Sequence, residues 1–256
     1  MEDCLITGIM DNTFTKSFEI RLNEVDHNAR VKLPVLFDLM QETAGSQSDS
    51  IGYGVFTLIK KKITWVVSRY HMQVDEYPRW KDSIKVTTWR SHEEGLFAIR
   101  EYLVHNDDRE YARATSSWSL IDTDTGKPVD PQEYLPEYPH LEKRALDEQF
   151  NPLPECSQPE LEKKFSVRKH DCDLNRHVNN SMYVAWGMET VPVNVLEEGS
   201  CHHVEVNFRG EARFGQAVLS MSVLSNGRND EYIHSLRNKN TGKEITRLVT
   251  RWHRNR

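Results

Sequence analysis

Cysteine is scarce in this chain and poorly spaced for metal or redox chemistry. The four cysteines, Cys4, Cys156, Cys172 and Cys201, make no CxxC pair and no zinc-ligand spacing. They read as free thiols in a reducing cytoplasm. No apolar run is long enough to cross a membrane. The opening stretch MEDCLITGIMDNTF is acidic. It lacks the basic region and apolar core of a signal peptide, and the Arg- and Ser-rich character of a transit peptide. No G-x-S-x-G elbow and no phosphate-binding loop occurs. Positive charge is in deficit, with a formal net charge of -6, which argues against a dedicated nucleic-acid binder. A local basic patch could still receive an acidic partner. What is present is ordinary for a soluble globular protein: 38% apolar and 28% charged residues are too rich in apolar groups for disorder. A length of 256 residues allows one large domain or two small ones.

An internal duplication decides for two. DHNARVKLPVLFDLMQET, residues 26–43, aligns with DLNRHVNNSMYVAWGMET, residues 173–190. Asp26 meets Asp173, Asn28 meets Asn175, Val31 meets Val178, and Glu42-Thr43 meet Glu189-Thr190, all at a separation of 147 positions. A second block runs at a constant separation of 134, pairing Arg79 with Arg213, Ile99 with Ile233, Glu110 with Glu244, Arg113 with Arg247, and Trp118 with Trp252. Each half thus reads as a loop with D-x-N, an apolar helix, then several strands. The helix near 178–190 carries Met182, Tyr183, Val184, Ala185, Trp186 and Met188, apolar on most faces, as a buried helix is. CHHVEVNF alternates, with Val204, Val206 and Phe208 on one face. HNDDRE, SNGRND and KNTGKE mark turns between strands. The expected class is α+β, one buried helix per half against an antiparallel sheet. The expected division is an N-terminal domain over 1–139, a linker over 140–164 rich in proline and charge, and a C-terminal domain over 165–256.

The two halves differ where chemistry could sit. Asp and Asn persist in both, and their plain reading is that they fold a turn and cap a helix. His177 stands where the first half has Arg30, and Glu211 where it has Tyr77. On its own His177 would pass for a loop histidine. Together with Asp173, Asn175 and Glu211 it suits attack on a carbonyl, which needs a base, a water or nucleophile, and donors for an oxyanion. The backbone N–H groups of Val178, Asn179 and Asn180, at the helix start, are an expected anion site. Gly210 precedes Glu211, and a glycine there can mark a bulge that re-aims the carboxylate. Other candidates are weaker. His202 and His203 are adjacent and point to opposite faces of a strand. DTDTGK, with Asp122 and Asp124, resembles a calcium loop but reads as a hairpin turn. Glu189 is matched by Glu42 and is structural.

DLNRHVNNSMYVAWGMETVP resembles the D-x-N-x-H-V-N-N-x-x-Y-x-x-W-x-x-E-x-x-P segment of plant and bacterial acyl-ACP thioesterases. ITWVVSRYHMQVDEYPRWKDSIKVTTW, ARATSSWSLID and FRGEARFGQAVLS are similar to further stretches of that family, in the same order, over about residues 15–256. The resemblance implies a tandem hotdog fold with the catalytic groups in the second domain, falling on Asp173, Asn175, His177 and Glu211. Plant members usually carry a cysteine after that Glu; here Ala212 stands, so a thiol nucleophile at that place is excluded. The implied activity is hydrolysis of fatty acyl-acyl carrier protein thioesters, releasing free fatty acid and terminating fatty acid synthesis. Glu211 would activate water or attack directly, with His177 orienting or relaying a proton. Leu36 and Met40 of the first-domain helix are expected to bind the acyl chain. No metal and no redox cofactor is expected. The expected partner is acyl carrier protein, with no nucleic acid and no membrane, in a monomer (a pseudo-dimer of hotdogs) or homodimer. KEITRLVTRWHRNR and the lysines at 60–62 are candidates to receive the acidic carrier. The family's plastid extension is absent, which suggests a bacterial, cytoplasmic protein. The rivals are an acyl-CoA thioesterase of the same fold, a hotdog hydratase, whose D-x-N-P-x-H pattern is missing, and a non-catalytic acyl-carrier binding module.

Overall fold

The computed structural model describes residues 12–135, 138–147 and 149–254. The first eleven residues of the expected N-terminal domain, and Asn255 and Arg256 of the basic C-terminal segment, lie outside the described residues. The backbone divides into two compact units, one ending at Gln149 and the next beginning at Phe150.

The first unit runs β1 (Phe14–Glu19), a short 3-10 turn (Leu22–Glu24), α1 (Leu33–Ser50), α2 (Val55–Lys60), β2 (Ile63–Val74), β3 (Ser83–Glu94), β4 (Phe97–His105), β5 (Glu110–Asp122), β6 (Pro128–Val129) and α3 (Pro131–Tyr134). Its strands lie in the order β1-β3-β4-β5-β2, with β6 beside β5, and the pairs are antiparallel. Helix α1 starts at Leu33-Pro34, where proline needs no N–H partner. Leu33, Leu36, Phe37, Met40, Thr43, Ala44 and Gln47 are buried at helical spacing, the stripe that faces a sheet. Leu36 and Met40 are wholly buried, and each contributes about 2 kcal/mol by leaving water.

The second unit repeats the plan: β7 (Leu161–Ser166), a 3-10 turn (Lys169–Asp171), α4 (Asn180–Met188), α5 (Val193–Glu198), β8 (Gly199–Phe208), β9 (Ala217–Leu224), β10 (Glu231–Asn238) and β11 (Glu244–Arg254). The strand order is β8-β11-β10-β9-β7, the same order as the first unit read from its other edge. Helix α4 is half the length of α1 because Pro192 follows closely and cannot continue it. Gly187 lets α4 sit close to the sheet; a Cβ there would lie 3.2 Å from Leu248 Cδ1. Small details repeat as well. Lys16 pairs with Glu42 in the first unit and Lys163 with Glu189, at 2.9 Å, in the second.

The stretch expected as a surface linker is held down at both ends. Trp89 Nε1 donates to the Lys143 carbonyl at 2.7 Å, and Ala145 N–H donates to Glu101 Oε2 at 3.0 Å. Further on, Arg247 donates to the Leu153 carbonyl at 2.9 Å, and Cys156 packs with Met221, Ile233 and Val249. The C-terminal basic segment differs from expectation. It is strand β11, with Leu248, Val249 and Trp252 in the core and Arg247 only 8% exposed and paired with Glu244. Alternation along a strand, not charge alone, decides which of its cations reach solvent.

Candidate active site

The loop before α4 is organised by two carboxylates. Asp171 is buried and accepts from the Arg168 backbone N–H at 2.7 Å and from its guanidinium at 2.7 Å. Burial pushes the Asp171 carboxyl up, but these Arg168 contacts outweigh it and hold it below the ordinary carboxylate range. The Asp171 carbonyl in turn accepts the Asn179 N–H at 2.8 Å. Asp173 Oδ1 accepts two backbone N–H groups, from Asn175 at 2.9 Å and from His177 at 3.2 Å. The turn closes with Arg176 in the left-handed region at φ 63 and with the Asp173 N–H donating to the His177 carbonyl at 2.8 Å. The acid-to-imidazole spacing therefore has a structural cause. A carboxylate folds the chain back on itself and delivers His177 at the far end of the turn.

Glu211 arrives from the other side. Strand β8 ends at Phe208, and the N–H groups of both Arg209 and Gly210 donate to the single carbonyl of Ile245, at 2.9 and 3.1 Å. That irregularity turns the chain, and a Cβ on Gly210 would lie 3.1 Å from Ile245 Cγ2. The next residue, Ala212, is fully buried and held at both backbone groups. Its N–H donates to Tyr183 Oη at 2.8 Å, and its carbonyl accepts the Val178 N–H at 2.9 Å. The outcome is a contact of 3.0 Å between His177 Nε2 and Glu211 Oε2, with His177 24% and Glu211 50% exposed. The Arg213 guanidinium lies 4.0 Å from the same oxygen. In a hydrogen bond across this contact the imidazole Nε2–H is the donor and the carboxylate oxygen the acceptor. Burial raises the Tyr183 phenol above its ordinary value, the Ala212 N–H opposing and the Glu211 charge adding to the rise, so it stays protonated.

The expected anion site is narrower than the sequence implied. The Val178 N–H is spent on Ala212 and the Asn179 N–H on Asp171, because both close the loop. Asn179 acts instead as the helix cap, its side chain accepting the Ser181 N–H at 3.3 Å. Among the described residues no acceptor takes the Asn180 N–H or the Asn175 side-chain amide. Leu36 and Met40 sit in the packed core of the first unit, Met40 Sδ accepting from the Tyr70 hydroxyl at 3.2 Å. Asp122 Oδ1 accepts the N–H groups of Asp124 and Thr125 at 3.1 and 2.7 Å, which is a hairpin turn. Among the described residues no helix is long and apolar enough to cross a membrane.

The first unit contains the same turn without the pair. Asp26 Oδ1 accepts from Asn28 at 2.8 Å and Arg30 at 3.0 Å, Ala29 takes φ 57, and the Val31 N–H donates to the Pro78 carbonyl at 2.9 Å. The Asp and Asn backbone arrangement is thus architecture common to both halves.

Residues 11–138 match the family described as acyl-ACP thioesterase N-terminal domain, and residues 155–254 match acyl-ACP thioesterase C-terminal domain. An oleoyl-acyl carrier protein thioesterase of Arabidopsis thaliana is 26% identical, the alignment covering 94% of this chain and 76% of that protein. The solved structure of a 12:0-ACP thioesterase from Umbellularia californica is 26% identical with a TM-score of 0.87, covering 97% of this chain and 100% of that one. An acyl-ACP thioesterase from Bacteroides thetaiotaomicron has the same fold, with a TM-score of 0.84 at 23% identity over 94% of this chain and 98% of that one. The architecture is a tandem of two hotdog units.

Proposed function

Because the chain belongs to the acyl-ACP thioesterase family, we propose that it hydrolyses fatty acyl thioesters of acyl carrier protein to free fatty acid and carrier thiol. The observation that carries this is the His177–Glu211 contact at 3.0 Å, half open to solvent. A water on Glu211 Oε1 gives its proton to that carboxylate as its oxygen attacks the thioester carbon. The tetrahedral oxyanion accepts from the Asn175 amide and the Asn180 N–H. As the C–S bond breaks, the departing thiolate takes the proton back from Glu211, with His177 Nε2–H steadying the carboxylate throughout. Asp173 holds the loop and makes no contact with the substrate in this reading.

The division of labour assigns chemistry to the C-terminal domain expected over 165–256, and the acyl chain to the first unit, against Leu36 and Met40 of α1. Those two side chains are fully buried, so a chain reaching them displaces packed groups. Exposed cations of the second unit, Lys169, Arg176 and Arg213, suit the acidic carrier. A reducing cytoplasm is the compartment this reading implies, with the free thiols of Cys156, Cys172 and Cys201 as its support. A monomer or a homodimer is the expected assembly.

The test is fatty acid release from a panel of acyl-carrier-protein thioesters and matching acyl-CoAs, with wild type, His177→Ala and Glu211→Ala in parallel. Carrier thioesters cleaved by wild type alone support the reading. Cleavage of CoA esters only moves the substrate to acyl-CoA, and carrier binding with no turnover would make the protein a binding module.

A further inference from the structure

The Tyr183 hydroxyl accepts the Ala212 N–H at 2.8 Å from a side chain only 2% exposed on α4. This bond has no equivalent in the first unit, for a reason written in both partners. At the separation of 147, Tyr183 is matched by Leu36, which has no acceptor; at the separation of 134, Ala212 is matched by Pro78, which has no N–H. The two positions are known to be equivalent because the neighbouring bonds are the same, Val31 N–H to the Pro78 carbonyl and Val178 N–H to the Ala212 carbonyl, each at 2.9 Å. Donor and acceptor are therefore both missing in the half that also lacks the histidine and the glutamate. The turn folds without the bond, so its presence in the second unit goes with the pair.

We infer that Tyr183 is a positioning residue for Glu211. The chain of contact is short. Tyr183 holds the Ala212 N–H, the Ala212 carbonyl is held by Val178, and Val178 directly follows His177. Ala212, the residue immediately after Glu211, is thus tied to α4 through its N–H and to the His177 loop through its carbonyl. With both ties made, the Glu211 carboxylate meets His177 Nε2 at 3.0 Å. Half-exposed as it is, Glu211 has little packing of its own to hold it there. Releasing one tie lets the segment 209–212 move, and a displacement of about 1 Å at a reacting group costs up to about 100-fold in rate.

This inference rests on the thioesterase reading, and its test separates the two. Tyr183→Phe removes only the hydroxyl. Tyr183→Leu combined with Ala212→Pro rebuilds the first unit's own pair, Leu36 and Pro78. Wild type and Glu211→Ala are run alongside on acyl carrier protein thioesters. Both tyrosine variants are expected to fold, with a melting temperature lowered by no more than about 10 °C. Their kcat should fall by about 10- to 100-fold with KM changed less than about 2-fold, and the side-chain 15N signals of His177 should move toward those of Glu211→Ala. Tyr183→Phe with wild-type kcat would overturn the inference, as would a fall in kcat with the His177 signals unmoved. Failure of both variants to fold would overturn it too, since the first unit closes the same turn without the bond. A wild type inert on carrier thioesters would sink the thioesterase reading and this role with it, whereas a fully active Glu211→Ala beside an active wild type would sink the assignment of Glu211 and, with it, this role. An active wild type beside an unaffected Tyr183→Phe sinks this role alone.

Discussion

His177 Nε2 stands 3.0 Å from Glu211 Oε2, and the equivalent positions of the first unit are held by Arg30 and Tyr77. The surrounding turn is otherwise the same in both, down to the left-handed residue at Ala29 and Arg176. The fold has therefore been built twice and equipped with an acid–imidazole pair once. Glu211→Gln keeps the shape and removes the basic oxygen. It is expected to lower kcat by about 100- to 10,000-fold, with an unchanged melting temperature because the side chain is half exposed. A steady-state assay beside a thermal melt checks both statements.

The duplication supplies an internal control for Asp173. Asp26→Ala and Asp173→Ala each strip an acceptor from two backbone N–H groups. Each should cost about 1–2 kcal/mol in stability. Only Asp173→Ala should depress turnover strongly, because only that turn delivers a histidine to a glutamate. Equal losses of activity in the two variants would mean that stability alone explains the effect.

Gly210 makes a third mutational test. A Cβ there would lie 3.1 Å from Ile245 Cγ2, close enough that Ile245 must shift. Gly210→Val is expected to displace the segment leading to Glu211 and to reduce kcat more than it reduces stability. Adding Ile245→Ala removes that Cγ2 and should restore part of the loss in kcat. A double variant no better than Gly210→Val would place the damage elsewhere.

Much of this was legible in the chain because the duplication preserves separation as well as residue type. A constant 147 through the loop and helix, and 134 through the strands, sets which residues correspond; β1 and β7 and α1 and α4 start 147 apart, and β3, β4 and β5 start 134 before β9, β10 and β11. What was not legible depends on closure in three dimensions. The direction of Glu211 hangs on two N–H groups sharing the Ile245 carbonyl, a contact across β8 and β11. The Val178 and Asn179 amides looked free as helix-start donors, but the loop consumes them. Tyr183 read as one more apolar helix residue, although its match to Leu36, set beside that of Ala212 to Pro78, was a visible signal. The cations of β11 suggested a surface, whereas Arg247 lies along the core with Glu244.

Acid stability depends on His234 in β10. Its ring is wholly buried, Nε2 lying 2.8 Å from Thr250 Oγ1 and Nδ1 3.4 Å from Thr190 Oγ1. Burial lowers its pKa to about 3, with a contact to Gly187 opposing weakly. In the unfolded chain the imidazole titrates near about 6.5. Between those two values the unfolded state binds a proton that the folded state refuses, so stability falls as pH falls. The contribution is complete above about pH 6.5 and declines by up to about 1.4 kcal/mol per pH unit below it. Carboxylates such as Asp171 act in the same direction but lower down, since their folded values lie below the ordinary carboxylate range. His234→Gln should be less stable at neutral pH yet flatter in its pH dependence. Between pH 6.5 and 4.5 wild type should lose about 2–3 kcal/mol more than the variant, measured by urea unfolding at matched ionic strength. Parallel pH profiles for the two proteins would mean that His234 takes up its proton in the folded state as readily as in the unfolded one.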